Sequence, residues 1–260
     1  MDNLEEIWIF YQKIVIDLLI NQSIASKFIE DISKTMLNRK DLTNDEIIYL
    51  YEKTFELSSA SDSELNDDKI EEIDKVIEYF RIMENIQRTG WIARNIPEKY
   101  RENDAIHIMQ MFALAYIYFK LDRTIDLDKR KVYEMIIIHE IGEAVIGDIR
   151  EGTSKHQSKK ELESSAVKTI FSYSKNGKYL NELWNEFENK SSNEACFVYQ
   201  LDKIDPILKA KILDKILNRT DLYDDFYNFE VERKTYEKGK VKELFNYSRK
   251  MEVNIIWKKN

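Results

Sequence analysis

Apolar residues recur at spacings of three and four along most of the chain, the period of helices that turn one face to a core. The stretch LEEIWIFYQKIVIDLLI over 4–20 reads as one such helix, and 24–38 and 44–57 as two more. Thr43 and Glu46 are spaced as a capping box for the third. The segment SSASDSELNDD at 58–68 breaks the pattern, being small, polar and acidic, and a new unit starts near Lys69. Beyond it, helices are predicted over about 69–87, 104–120, 128–146, 158–173, 178–190 and 192–217, joined by loops around Gly90, Pro97, Gly152 and Gly177. The last segment, 221–250, is a charged helical pattern whose Val231, Tyr236, Val241, Leu244 and Phe245 suit packing on the core or on a partner.

Two prolines and six glycines in 260 residues leave few places for that pattern to break, so the fold class is all-α. Hydrophobic residues at 43% and charged residues at 34% are the balance of a soluble globular chain with solvated helix faces. A net charge of -8 argues against a broad grip on long nucleic acid, which needs a clustered basic surface. It leaves room for a small phosphorylated substrate. The one cysteine, Cys196, excludes an intramolecular disulfide, suits a reducing compartment, and reads as a small buried apolar residue in a helical run. The acidic start (Asp2, Glu5, Glu6) lacks the character of a signal peptide, and the most apolar run, MQMFALAYIYF at 109–119, is too short to span a bilayer. A cytoplasmic protein without membrane contact is the expectation.

The segment IIIHEIGEAVIGDI at 136–149 changes the picture, because an apolar helix that should be buried carries His139, Glu140, Glu143 and Asp148. Burying that much charge without a partner is costly. In a helix His139 and Glu143 share a face, Glu140 is rotated by one residue, and a divalent cation would satisfy the group. Two other apolar segments supply further donors: His107 near the start of one helix and Asp202 within FVYQLDKI. Two imidazoles and two carboxylates suit Mn, Fe, Co, Ni or Zn better than Ca.

The order of His107, then His139 with acidic Glu140, then Asp202, on separate helices, resembles the HD superfamily of metal-dependent phosphohydrolases. It is closest in pattern to the 5′-deoxynucleotidase branch. RTGW at 88–91, IGEAVIGDI after His139 and ELWNEFENKSSNEACFVYQLDK at 182–203 extend the likeness, which covers about 69–215. One departure is Glu140, where the superfamily's name calls for aspartate; the extra methylene moves the carboxylate by about one bond length.

The resemblance implies an HD-type helical bundle over 66–215 and says nothing of either end, where the helical pattern marks an N-terminal accessory region at 1–65 and a C-terminal extension at 216–260. It implies one divalent transition metal on His107, His139, Glu140 and Asp202. Glu143 is expected to carry protons, Asp148 to touch a sugar hydroxyl or orient the centre, Arg88 to meet phosphate, and Trp91 to form a wall against the sugar. The reaction implied is hydrolysis of a nucleoside 5′-monophosphate. A triphosphohydrolase, a signalling-nucleotide hydrolase, and a binding or regulatory module with a metal site weakened by Glu140 remain alternatives. A homodimer stays open. With three histidines in the chain, and the third, His156, in the loop at 151–160, a mononuclear centre is favoured over a two-metal one. Each role also has a plainer counterpart: Glu143 paired with a lysine, Asp148 capping a turn, Arg88 satisfying carbonyls, Trp91 filling core.

Overall fold

The computed structural model describes residues 78–122, 124–150, 159–172 and 174–253. The helices expected at 4–20, 24–38 and 44–57, the linker at 58–68, residues 69–77 of the helix expected over 69–87, and the loop carrying Gly152 and His156 lie outside the described residues. Within them the chain is helical: α1 (Thr89–Ala93), a 3-10 turn (Glu98–Tyr100), α2 (Asp104–Leu121), α3 (Lys129–Ile138), α4 (Glu143–Ile146), α5 (Lys159–Phe171), α6 (Gly177–Asn189), α7 (Asn193–Leu217), α8 (Leu222–Glu232) and α9 (Lys242–Ser248). No sheet forms among the described residues; one isolated bridge pairs Gln87 with Asn103.

Two helices organise the bundle. α7 packs on α2, α3, α6 and α8, and α2 also packs on α3. Both start from a side-chain cap: Asn103 accepts from Ile106 N–H at 2.9 Å, and Ser192 accepts from Ala195 N–H at 3.1 Å. Asn218, at φ 53°, ends α7 in the left-handed conformation that asparagine tolerates. The core runs through Met111, Leu114, Met135, Ile136, Leu201, Ile204 and Leu208, all 0% exposed. No described helix is long and apolar enough to cross a membrane.

Three expectations need correcting. The helix predicted over 128–146 stops at Ile138. Beyond it the backbone tightens: Ile141, Glu143 and Ala144 bond three residues back, to Ile138, Glu140 and Ile141. Gly142 lies in this stretch, where a Cβ would come within 3.2 Å of Val167 on α5. In such a tightened turn side chains three apart eclipse, so Glu143 aligns with Glu140 rather than with His139.

The helix predicted over 221–250 is two helices, α8 and α9. The cause is remote in sequence. Gln200 of α7 donates to the carbonyls of Thr235 and Lys238 and accepts from Val241 N–H, organising a turn in place of a helix. Gly239 sits in that turn at φ 103°, and a Cβ there would lie 2.3 Å from Gln200 Oε1. Tyr236, Val241, Leu244 and Phe245 are buried in the main core, but Val231 is 48% exposed. Cys196, expected to be buried, is exposed on the outer side of α7, its thiol 3.5 Å from the Lys190 carbonyl.

Candidate metal centre

His107, His139, Glu140 and Asp202 meet from three distant stretches of chain. Each offers one ligand atom, and the four atoms lie within 4.8 Å of one another. α2 brings His107, the end of α3 brings His139 and Glu140, and α7 brings Asp202.

The two imidazoles are prepared differently. His139 directs Nδ1 at the Ile136 carbonyl, 2.8 Å away, which fixes the proton there and leaves Nε2 as a lone pair. That Nε2 is buried and has no hydrogen-bond partner. Burial pushes the His139 imidazole below its ordinary pKa, partly offset by Glu140 and Asp202, so the ring is neutral and its lone pair is available. His107 holds Nδ1 against Asp205 at 2.8 Å and Nε2 against Asp202 at 3.2 Å. Burial and Arg88 oppose its charged form, but the bonds to Asp202 and Asp205 prevail and lift its pKa to about 9.

The carboxylates stay charged. Burial opposes ionisation of Glu140, but His139, when acid protonates its ring, and Arg88 hold it well below the carboxylate range. Asp202 is likewise held low against burial by Lys203, at 2.6 Å, and by His107. A neutral imidazole with an unused lone pair, a second imidazole oriented by a carboxylate, and two ionised carboxylates are a donor set that fits a divalent cation.

Arg88 is 17% exposed at its side chain and borders the cluster, with Nη1 2.9 Å from Glu140 Oε1 and Nη2 3.9 Å from Asp202 Oδ1. Glu143 is nearly inaccessible. Its Oε1 accepts from Lys159 Nζ at 2.8 Å, while Oε2 is buried without a partner. Burial, reinforced by Glu140 and only partly offset by Lys159, pushes its carboxyl well above the usual range. Glu140, Glu143 and Glu163 form a second group whose carboxylate oxygens also fall within 4.8 Å.

Two expected residues stand outside the cluster. Trp91 is 1% exposed and packs with Ile96, Ala210, Leu213 and Leu222, its ring 4.9 Å from that of Phe226. It fills a small core, and its Nε1 donates to Glu102 at 2.8 Å. Asp148 accepts from Thr89 Oγ1 at 2.8 Å and from Thr89 N–H, tying the end of α4 to the start of α1.

Sequence reasoning missed the support behind these groups. Asp205 orients His107. Lys209, fully buried, donates to Glu102 at 2.7 Å, and Glu102 stands 3.6 Å from Arg88 Nε. Gln110, with its amide nitrogen toward the acids, donates to Glu102 Oε2 at 2.8 Å and reaches Asp205 at 3.3 Å. Asp202, Asp205 and Lys209 follow at i, i+3 and i+7 within an otherwise apolar stripe of α7, the signal that was available.

The HD domain family matches residues 80–244, through α8 and into α9. Among curated relatives, a 5′-deoxynucleotidase of Homo sapiens is 32% identical over 149 residues, 56% of this chain and 70% of the relative. A 5′-deoxynucleotidase of Mus musculus is 31% identical over 149 residues, 56% of this chain and 72% of the relative. Among solved structures, a protein of Pyrococcus horikoshii OT3 aligns with a TM-score of 0.55 and 26% identity, over 68% of this chain and 96% of that one. A metal-dependent phosphohydrolase of Magnetospirillum magnetotacticum MS-1, at TM-score 0.53 and 21% identity over 72% and 93%, shares the fold. With a matched stretch that spans most of the chain and holds the whole donor cluster, this chain belongs to the HD domain family of metal-dependent phosphohydrolases.

Proposed function

We propose that the chain hydrolyses nucleoside 5′-monophosphates, deoxynucleotides by preference, to nucleoside and phosphate, with one divalent transition metal held by His107, His139, Glu140 and Asp202. The observation that carries the reading is the unpartnered, buried Nε2 of His139 facing three further donors within 4.8 Å. The choice of substrate is supported by the relatives named 5′-deoxynucleotidase.

When bound, Mn, Co, Ni, Fe or Zn supplies Lewis-acid chemistry, polarising a phosphoryl oxygen and lowering the pKa of water. The chain's own groups do the rest. Arg88 presents a forked guanidinium at the open side of the cluster, suited to two phosphate oxygens. Water adds to phosphorus opposite the 5′ oxygen as the P–O5′ bond breaks. The departing alkoxide takes a proton from Glu143, whose buried carboxyl is protonated well above the usual range, and the attacking water returns one to Glu143. Atoms balance as nucleoside plus phosphate. Asp148, through Thr89, holds the start of α1 and so the Arg88 backbone; by resemblance it also faces the sugar hydroxyl. Trp91 contributes from behind, through Glu102.

Metal-stripped protein reloaded with each cation and assayed on mono-, di-, tri- and cyclic nucleotides tests this reading. Phosphate release from 5′-monophosphates is expected; release of tripolyphosphate alone overturns the substrate class. Glu143→Gln should lower kcat by about 10²–10⁴ while the metal content stays at wild type.

A further inference from the structure

The Asp104 carboxylate has no hydrogen-bond partner. It opens α2, is 0% exposed, and both of its carboxylate oxygens are buried without a hydrogen bond. A buried carboxylate left unsatisfied costs several kcal/mol by order of magnitude, so a partner in some state of the protein is expected. The nearest donor is Arg88 Nη1, 3.6 Å from Oδ1, too far for a hydrogen bond.

Arg88 is surrounded by four carboxylates at 2.9–3.9 Å: Glu102, Asp104, Glu140 and Asp202. Glu140 and Asp202 are the acidic half of the donor cluster. The guanidinium and a divalent cation therefore compete for the same oxygens. Glu102 cannot take the guanidinium as its main partner, because Trp91 Nε1 already serves Oε1 and Lys209 Nζ serves Oε2. Asp104 alone of the four has both carboxylate oxygens buried without a hydrogen bond.

We propose that Asp104 is a positioning residue for Arg88: it receives the guanidinium when a cation takes Glu140. Closing the gap to hydrogen-bond length requires a shift under about 1 Å. Two consequences follow. Arg88 ceases to compete with the cation, and its remaining N–H groups stay fixed at the open side of the cluster, where phosphate arrives. The inference rests on the metal-centre reading above, yet its test does not depend on turnover.

The test is a double-mutant cycle on Mn²⁺ affinity, measured by titration calorimetry on the metal-stripped full chain as wild type, Asp104→Asn, Arg88→Ala and both. Arg88→Ala should tighten Mn²⁺ binding by removing the competitor. Asp104→Asn should weaken it about tenfold, a coupling of about 1.4 kcal/mol, because Arg88 then stays on Glu140. In the Arg88→Ala background Asp104→Asn should change the affinity less than about twofold. An equal loss in both backgrounds would mean that Asp104 contributes only negative field, and no loss in either would mean that it does not act on the centre; each overturns the proposal. Asp104→Ala provides a second neutral replacement. Both should unfold at or above the wild-type temperature, since they remove a buried carboxyl that has no hydrogen bond, and a lowered midpoint in both would show that Asp104 has a structural partner other than Arg88. If wild type takes up no Mn²⁺, the metal-centre reading itself falls; if it binds Mn²⁺ and the cycle is uncoupled, only the role of Asp104 falls.

Discussion

Lys209→Met is the most demanding test of how the fold holds its charges. The Lys209 ammonium and the Glu102 carboxylate are 2.7 Å apart with both side chains 0% exposed, so no solvent screening reduces their interaction. Burial opposes the ionised form of Glu102, and Lys209, then His107 and Arg88, keep it charged below the usual range. Removing one member of such a pair costs about 3–5 kcal/mol, because the other stays buried and charged. A domain of this size loses about 2–4 °C per kcal/mol, which makes the expected fall in midpoint roughly 6–20 °C. The double replacement Lys209→Met/Glu102→Leu removes both charges and leaves Trp91 Nε1 without its acceptor at 2.8 Å, a cost of about 1–3 kcal/mol. The double variant should therefore be no less stable than Lys209→Met alone. Thermal and urea unfolding of the three proteins measure this. A loss below about 1 kcal/mol for Lys209→Met, or additive losses in the double variant, would refute the reasoning.

Asp205→Asn weakens the orientation of the His107 ring and should lower metal affinity by about 10–100-fold in calorimetry, and wild-type affinity would dismiss it as an orienting group. His107 carries a proton up to about pH 9 in the cation-free protein, and a ligand must present a lone pair, so cation binding should release close to one proton. The apparent affinity should then rise about tenfold per pH unit between roughly pH 7 and 8.5; calorimetry in two buffers of different ionisation enthalpy measures the proton count, and a flat profile argues against His107 as a ligand. Gly239→Ala puts a Cβ where Gln200 now lies and strains a residue at φ 103°, and should cost about 1–3 kcal/mol in urea unfolding, whereas Gly147→Ala, with nothing within 4 Å of its Cβ, carries the positive-φ strain alone and should cost less.

Local pattern made much of this molecule readable. The apolar periods located α2, α6 and α7 within a residue or two, and the unusual placing of His107, His139, Glu140 and Asp202 on apolar helices pointed to one cluster. What escaped depends on contacts between distant segments. The break between α8 and α9 is imposed by Gln200, more than thirty residues upstream, and the segment's own helical pattern carries no trace of it. The change of pitch after Ile138 set Glu143 over Glu140 and beside Glu163, where a straight helix over 128–146 would have shared it between Glu140 and His139. Asp104 and Glu102 look like solvated charges in one dimension. Trp91, a motif residue expected at substrate, lies in the core and meets Arg88 only through Glu102.

Charge conservation in a buried region connects these features. Without a cation, the ionised Glu140 and Asp202 are compensated by Arg88, by Lys203 and by the proton on His107. A divalent cation entering this cluster would add two positive charges to a space that tolerates net charge poorly. Transfer of the guanidinium to Asp104 and loss of the His107 proton withdraw two from the same oxygens. On the proposed exchange the balance at Glu140 and Asp202 is unchanged, because one carboxylate beside Arg88 still has both oxygens without a hydrogen bond. On this reading the longer Glu140 is no handicap: Arg88 holds its carboxylate at 2.9 Å until the cation takes it over, so the extra methylene costs little freedom at the moment of binding.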